Sequence, residues 1–93
     1  MDDQKFHLRI LSREGVLFEG EVASITSYNE KGKFDVLAQH ANFITLTTKG
    51  IYIRETGSVE ERVINFDNAL IRVRENKVEA YVGIEGMSTQ SFK

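Results

Sequence analysis

The chain has no cysteine and no proline. Without thiols it has no disulfide framework and no thiolate metal site. That leaves an oxidising compartment neither required nor excluded. Without proline, its corners must rely on glycine and on Asn or Asp. Long apolar runs are missing too, and none approaches a membrane span. The first residues, Met1-Asp2-Asp3-Gln4-Lys5, lack the basic start and apolar stretch of a signal peptide. Charge of one sign is also scarce: 12 Lys and Arg stand against 14 Asp and Glu, for a net charge of −2. That balance gives no electrostatic reason to expect nucleic acid as a partner. The expectation is a soluble cytoplasmic protein that reaches a membrane only through a partner, without direct insertion.

Reactive side chains are just as sparse. His7 and His40 are the only imidazoles, and a metal site wants three or four nitrogen, sulfur or carboxylate donors. His7 reads as an exposed or hydrogen-bonded structural residue. His40 reads either as a corner residue fixing its own loop or as a partner contact. Ser12, Ser24, Ser27 and Ser58 sit in strand or turn settings, and no Gly-x-Ser-x-Gly occurs. Asp2-Asp3 and Glu60-Glu61 are adjacent, and adjacent strand residues face opposite ways, so they make poor acid/base pairs. No glycine-rich loop opens a helix. No catalytic, cofactor or metal site is expected. Arg54, Arg72, Arg74 and Lys77 are candidates for a weak basic patch on one outer face, though four such groups are more often plain surface.

What the chain does have is alternation with period two. Phe6, Leu8 and Ile10 share one face, with His7 and Arg9 on the other. Glu14-Gly15 breaks this strand, Val16-Leu17-Phe18 resumes, and Gly20 permits a second bend. Val22 to Tyr28 reads as the next strand, with Val22, Ser24 and Thr26 alternating with Ala23 and Ile25. Asn29-Glu30-Lys31-Gly32 is a polar turn. Phe34 and Val36 begin another inward face, and a corner follows at His40. Phe43 to Thr48, Ile51 to Glu55, Arg62 to Phe66, Ala69 to Arg74 and Lys77 to Val82 complete the pattern. Thr56-Gly57-Ser58 and Glu75-Asn76 are the hairpin turns, the second the shortest common kind. The fold class expected is all-β: an antiparallel flattened β-sandwich or barrel of about eight to ten short strands. One domain spans 1–84, and 85–93 is expected to be a frayed polar tail. A domain this small buries only about 60–65% of its unfolded surface, so a docked partner can add much of its stability.

The segment Gly32 to Phe43 is a strand–corner–strand unit presenting polar groups, which points to docking before catalysis. Together with Phe6-His7-Leu8 and its following Ser12-Arg13-Glu14-Gly15, and with Phe18-Glu19-Gly20, it resembles the N-terminal domain of the epsilon subunit of bacterial F-type ATP synthases. Gly32, Phe34, Leu37, His40 and Ala41 match that family's corner segment, and Lys49-Gly50 a later turn. Leu70 to Val82 is similar to its closing hairpin. The resemblance covers about residues 5–84. Asp35 stands where the family usually has glycine, Ala38 and Asn42 where prolines flank the corner, and Asn68-Ala69 near its Gly-Gly. The family's C-terminal helical hairpin has no counterpart, so the regulation and ATP binding it carries are not assigned.

The resemblance implies a non-catalytic central-stalk subunit that clasps the gamma subunit and rests on the polar loops of the c-ring. Such a subunit is peripheral on the inner face of the cell membrane. By position, Asn29, Glu30 and Lys31 would touch the c-ring loops. His40, Asn42 and Thr45 would face the gamma subunit or its junction with the ring. Two other readings stand beside it: a stand-alone β-sandwich interaction module serving another assembly, and a small enzyme or ligand-binding barrel, for which the residues offer no convergent trio.

Overall fold

The computed structural model describes residues 5–39 and 41–83, and these form eight strands and no helix. In chain order they are β1 (Phe6–Ser12), β2 (Gly15–Asn29), β3 (Gly32–Leu37), β4 (Phe43–Thr47), β5 (Ile51–Glu55), β6 (Glu61–Ile64), β7 (Ala69–Arg74) and β8 (Lys77–Val82). His40 and the tail expected from 85 to 93 lie outside the described residues.

Hydrogen bonding orders the strands β4-β7-β8-β1-β2-β5-β6, with β3 also on β2. β2 is the shared element. Its residues 15–22 pair with β1, and its residues 24–29 pair with β3 further along the same edge. β5 takes the opposite edge, opposite Val22 to Thr26. The sheet folds over along β2 into two layers, β4-β7-β8-β1 and β3-β2-β5-β6. Inward side chains from both layers form one core, including Leu8, Ile10, Ile25, Ile53, Ile71 and Ala80. At the far end of β2 the layers are tied by the Thr48 amide, which donates to the Tyr28 carbonyl at 3.1 Å.

Every ladder is antiparallel but one: β1 and β8 run parallel, from His7 opposite Lys77 to Leu11 opposite Tyr81. Alternation shows which face a residue takes but not strand direction. A parallel pair needs a long crossover, and here the whole intervening chain supplies it.

β1 follows the expected alternation, with Phe6, Leu8 and Ile10 buried. β2 does not. It is one continuous strand of 15 residues with no break at Gly20. Val22 is buried, but the next buried positions are Ile25 and Ser27, not Ser24 and Thr26. The pairing with β5 slips between Val22 and Ser24, and a one-residue slip moves every later side chain to the other face. A second irregularity pairs Ile10 with Phe18 but Leu11 with Val16, which leaves Leu17 unmatched.

Two turns use one device. The Ser12 hydroxyl accepts from the Glu14 amide at 3.1 Å, and the Asn29 side-chain oxygen Oδ1 accepts from the Lys31 amide at 2.8 Å. Each is followed by a glycine at positive φ, Gly15 at 129° and Gly32 at 116°. Side-chain acceptors of this kind shape a turn before any strand pairs.

The β7–β8 loop is less relaxed. Its first residue, Glu75, has φ of 52°, where a Cβ crowds the following carbonyl. Glu75→Gly relieves that strain but loosens the unfolded chain. The expected net gain is about 0.5 kcal/mol, read as a higher urea midpoint at unchanged m-value.

Candidate docking surface

The outer face of the β4-β7-β8-β1 layer, extended by the first half of β2, is organised in rows, because residues directly opposite across a ladder share a face. One row is apolar apart from the Tyr81 hydroxyl: Leu46 opposite Leu70, Leu70 opposite Tyr81, Tyr81 opposite Leu11, and Leu11 opposite Val16. Its two ends are the most open, with Leu46 48% and Val16 50% exposed. Ile44, at the edge of the neighbouring row, is 62% exposed. Five strands at a spacing of about 4.8 Å make this row about 19 Å long.

The neighbouring row alternates in charge: Arg72, Glu79, Arg9, Glu19. Arg72 lies 3.4 Å from Glu79 and Arg9 3.9 Å from Glu19. His7 Nε2 is 2.9 Å from Glu19, and the Tyr81 hydroxyl donates to Glu79 at 2.8 Å. That hydrogen bond, aided by partial burial and the Glu79 charge, raises the Tyr81 phenol above its ordinary range. The pairs are half-exposed and contribute little stability. Their effect is to fix the side chains that border the apolar row.

The sequence-derived residues fall in three places. Asn29 and Thr45, from different layers, meet directly: the Asn29 amide donates to the Thr45 hydroxyl at 3.1 Å. With exposed Glu30 and Lys31 they line an open groove of about 560 Å³, whose apolar side is Phe43, Ile44 and Leu46. Asn42 lies at the other end of β4. Its carbonyl oxygen accepts from the Glu75 amide at 3.0 Å, so its side chain braces the β7–β8 loop. His40 lies outside the described residues. Of the four basic candidates, Arg72, Arg74 and Lys77 gather on β7 and β8, while Arg54 sits on β5 and pairs with Glu61 at 3.8 Å. No group of three or more His, Cys, Asp or Glu among the described residues is placed to hold a metal. No helix there is long and apolar enough to cross a membrane.

The apolar row escaped sequence reading because each strand contributes a single member. Leu11, Leu46 and Leu70 each look like an isolated exposed leucine, and such residues are normal on any surface. Only the registers bring them into line.

Comparisons agree with this architecture. The beta-sandwich domain family of the ATP synthase delta/epsilon chain matches residues 5–82. The ATP synthase epsilon chain of Sulfurimonas denitrificans is 40% identical over 90 residues, covering 90% of this chain and 68% of that protein. That of Nitratiruptor sp. is 38% identical over 85 residues, covering 85% and 64%. The chain thus spans about two thirds of the length of these relatives. Among solved structures, the Euglena gracilis mitochondrial ATP synthase assembly of OSCP, F1 and c-ring contains a chain with TM-score 0.78 at 15% identity, covering 94% of this chain and 58% of that one. The central stalk and c-ring of the Tetrahymena thermophila enzyme contain another, with TM-score 0.70 at 13% identity, covering 88% and 66%. At those identities the likeness is one of fold, and the sequence matches carry the kinship: this chain belongs to the ATP synthase delta/epsilon family and comprises its β-sandwich domain.

Proposed function

We propose that the domain is a non-catalytic docking subunit of the central stalk of an F-type ATP synthase. It seats against the gamma subunit and rests on polar loops of the c-ring, so that ion translocation is coupled to ATP synthesis or hydrolysis. This places it on the cytoplasmic side, peripheral to the membrane through the complex. The observation that carries the reading is the exposed apolar row on the outer layer. A stable interface buries about 800 Å² per partner, more than a row about 19 Å long supplies. The flanking charged row and the groove beside Asn29 and Thr45 therefore belong to the same surface. The exposed Glu30-Lys31 turn offers charge and backbone at one tip, which suits contact with polar loops.

The test is co-elution of the chain with purified gamma subunit at micromolar concentration. Leu46→Glu puts a charge into the apolar row without touching the core, and the expected loss of affinity is at least about tenfold. If the unaltered chain does not co-elute, or Leu46→Glu binds as well as it does, the gamma docking reading fails. The stand-alone module then takes its place.

A further inference from the structure

Charges on the outer face of this layer are compensated across the strands, with one exception. Arg72, Glu79, Arg9 and Glu19 alternate, and Glu21 is met by Lys5 at 3.2 Å. At the end of the β7–β8 ladder, Arg74 stands directly opposite Lys77. Both are exposed, and neither is in an ion pair among the described residues. Like charges placed directly opposite destabilise a sheet pair, so the fold holds this doublet against its own electrostatics. Arg72 adds a third cation, and its partner Glu79 is already shared with the Tyr81 hydroxyl. The three basic groups and Glu79 enclose a recess of about 130 Å³.

The backbone under the doublet is unusually constrained. Gln39 (φ 65°) and Glu75 (φ 52°) are the two non-glycine residues with positive φ among the described residues. Hydrogen bonds clamp both at this end of the molecule. The Gln39 amide donates to the Asn76 side-chain carbonyl at 2.9 Å, and the Glu75 amide to that of Asn42 at 3.0 Å. The His7 amide donates to the Asn76 backbone carbonyl at 3.0 Å. Strained positions persist where the surroundings over-determine them, and they cluster at binding sites. Beside the doublet lies a shallow groove of about 400 Å³ with Ile44 and Val73 in its wall.

We infer that the Arg74–Lys77 end of the β7–β8 hairpin is a docking site for an acidic polypeptide segment. Its carboxylates sit between the two cations, and an apolar side chain lies against Ile44. A long polyanion such as nucleic acid fits less well, because Glu19, Glu21 and Glu79 stand on the same face. Charge complementarity identifies the chemistry of the occupant. The inference rests on the stalk-docking reading only for which subunit supplies the segment.

The probe is an acetylated, amidated hexapeptide, Glu-Leu-Glu-Glu-Leu-Glu, titrated into the ¹⁵N-labelled chain at about 20 mM NaCl, where screening is weak. Saturable shifts are expected at Ile44 and from Arg72 to Lys77. Arg74→Glu/Lys77→Glu should weaken binding at least tenfold. Arg74→Gln/Lys77→Gln, which removes the repulsion without reversing the charge, should weaken it less. Lys33→Glu/Arg54→Glu makes the same net charge change in the other layer and should leave binding within about twofold, as local contact requires. Equal losses in the two Glu pairs, or shifts spread over the surface, would overturn the inference. So would inorganic phosphate reproducing the same shifts at the same concentration, since a small-anion site would then suffice. With purified gamma subunit as a second probe, loss of binding by Leu46→Glu alone keeps stalk docking and assigns the acidic segment to another protein. No gamma binding by any form sinks stalk docking and leaves the peptide result to decide this one.

Discussion

Replacing Ile25 with alanine lowers the unfolding free energy by about 2–5 kcal/mol. For a domain whose whole stability is on the order of 5–10 kcal/mol, that is enough to leave it close to unfolding at growth temperature. Ile25 is completely buried, and it stands on the strand that both layers share, opposite Val36 of β3 and Ile53 of β5. A cavity there lies between three strands, and none can close it without losing register. Thr26 is the internal control. Simple alternation from Val22 would point it inward, but the slip after Val22 turns it outward, where its hydroxyl donates to Asp35 at 2.6 Å on an exposed pair. Thr26→Ala is expected to change stability by less than about 1 kcal/mol. Urea unfolding followed by far-ultraviolet circular dichroism measures both. Equal effects of the two substitutions would mean that β2 does not carry the slip.

Gly50→Ala is expected to destabilise by about 1–3 kcal/mol, through close approach and not through backbone conformation. An added Cβ would lie 2.5 Å from the Ile64 carbonyl oxygen and 3.1 Å from the Asn65 Cα. Both are backbone atoms at the end of β6 and cannot rotate aside. The Gly50 carbonyl in turn accepts from the buried Ser27 hydroxyl at 3.0 Å. Moving Gly50 away from β6 therefore strains the shorter of the two carbonyl contacts of that hydroxyl, the other being to Lys49 at 3.4 Å. Gly20→Ala is the contrast: its nearest neighbours are atoms of the Phe18 ring at 3.7 and 3.8 Å, an ordinary contact, so its thermal midpoint should shift by less than half as much. If the two glycines behave alike, the close packing of the β4–β5 corner against β6 is not what restricts position 50.

Period-two alternation revealed the strands wherever one face is buried and the ladder is regular. Phe6, Leu8 and Ile10 show it in β1, and Ala69, Ile71 and Val73 in β7. It misled at β2, because a bulge shifts the phase without leaving a mark in the residue types. Ser24 and Ile25 are both ordinary strand residues. The turns were readable because their chemistry is local: Ser12 and Asn29 each act on an amide two residues on. Candidate docking residues could be named from the sequence only where they cluster in it, as at Asn29, Glu30 and Lys31. The apolar row was not, since its five members span Leu11 to Tyr81 and meet only through four separate registers. Asn42, expected at the gamma subunit or its junction with the ring, uses its side-chain oxygen to accept from an amide 33 residues away. The absence of proline has a visible substitute there. Asn42 and Asn76 hold the corner by hydrogen bonds where a pyrrolidine ring would hold it by covalent geometry.

The 15 residues of β2 would extend about 50 Å if fully straight, and the longest dimension of the molecule is 47 Å. A single covalent thread, bent at its two irregularities, runs from the Gly15 turn to the Glu30-Lys31 tip. Force applied at that tip travels along bonds, not through side-chain packing. The ladders to β1, β3 and β5 lie alongside the thread, so a pull along it loads many hydrogen bonds together in shear and does not peel them one at a time. The two shorter dimensions of the molecule are 26 and 20 Å, and deformation across the strand must bend two layers that share it. Such a body is stiff lengthwise and more compliant crosswise, and the direction of an applied load decides how much of it is stored as strain.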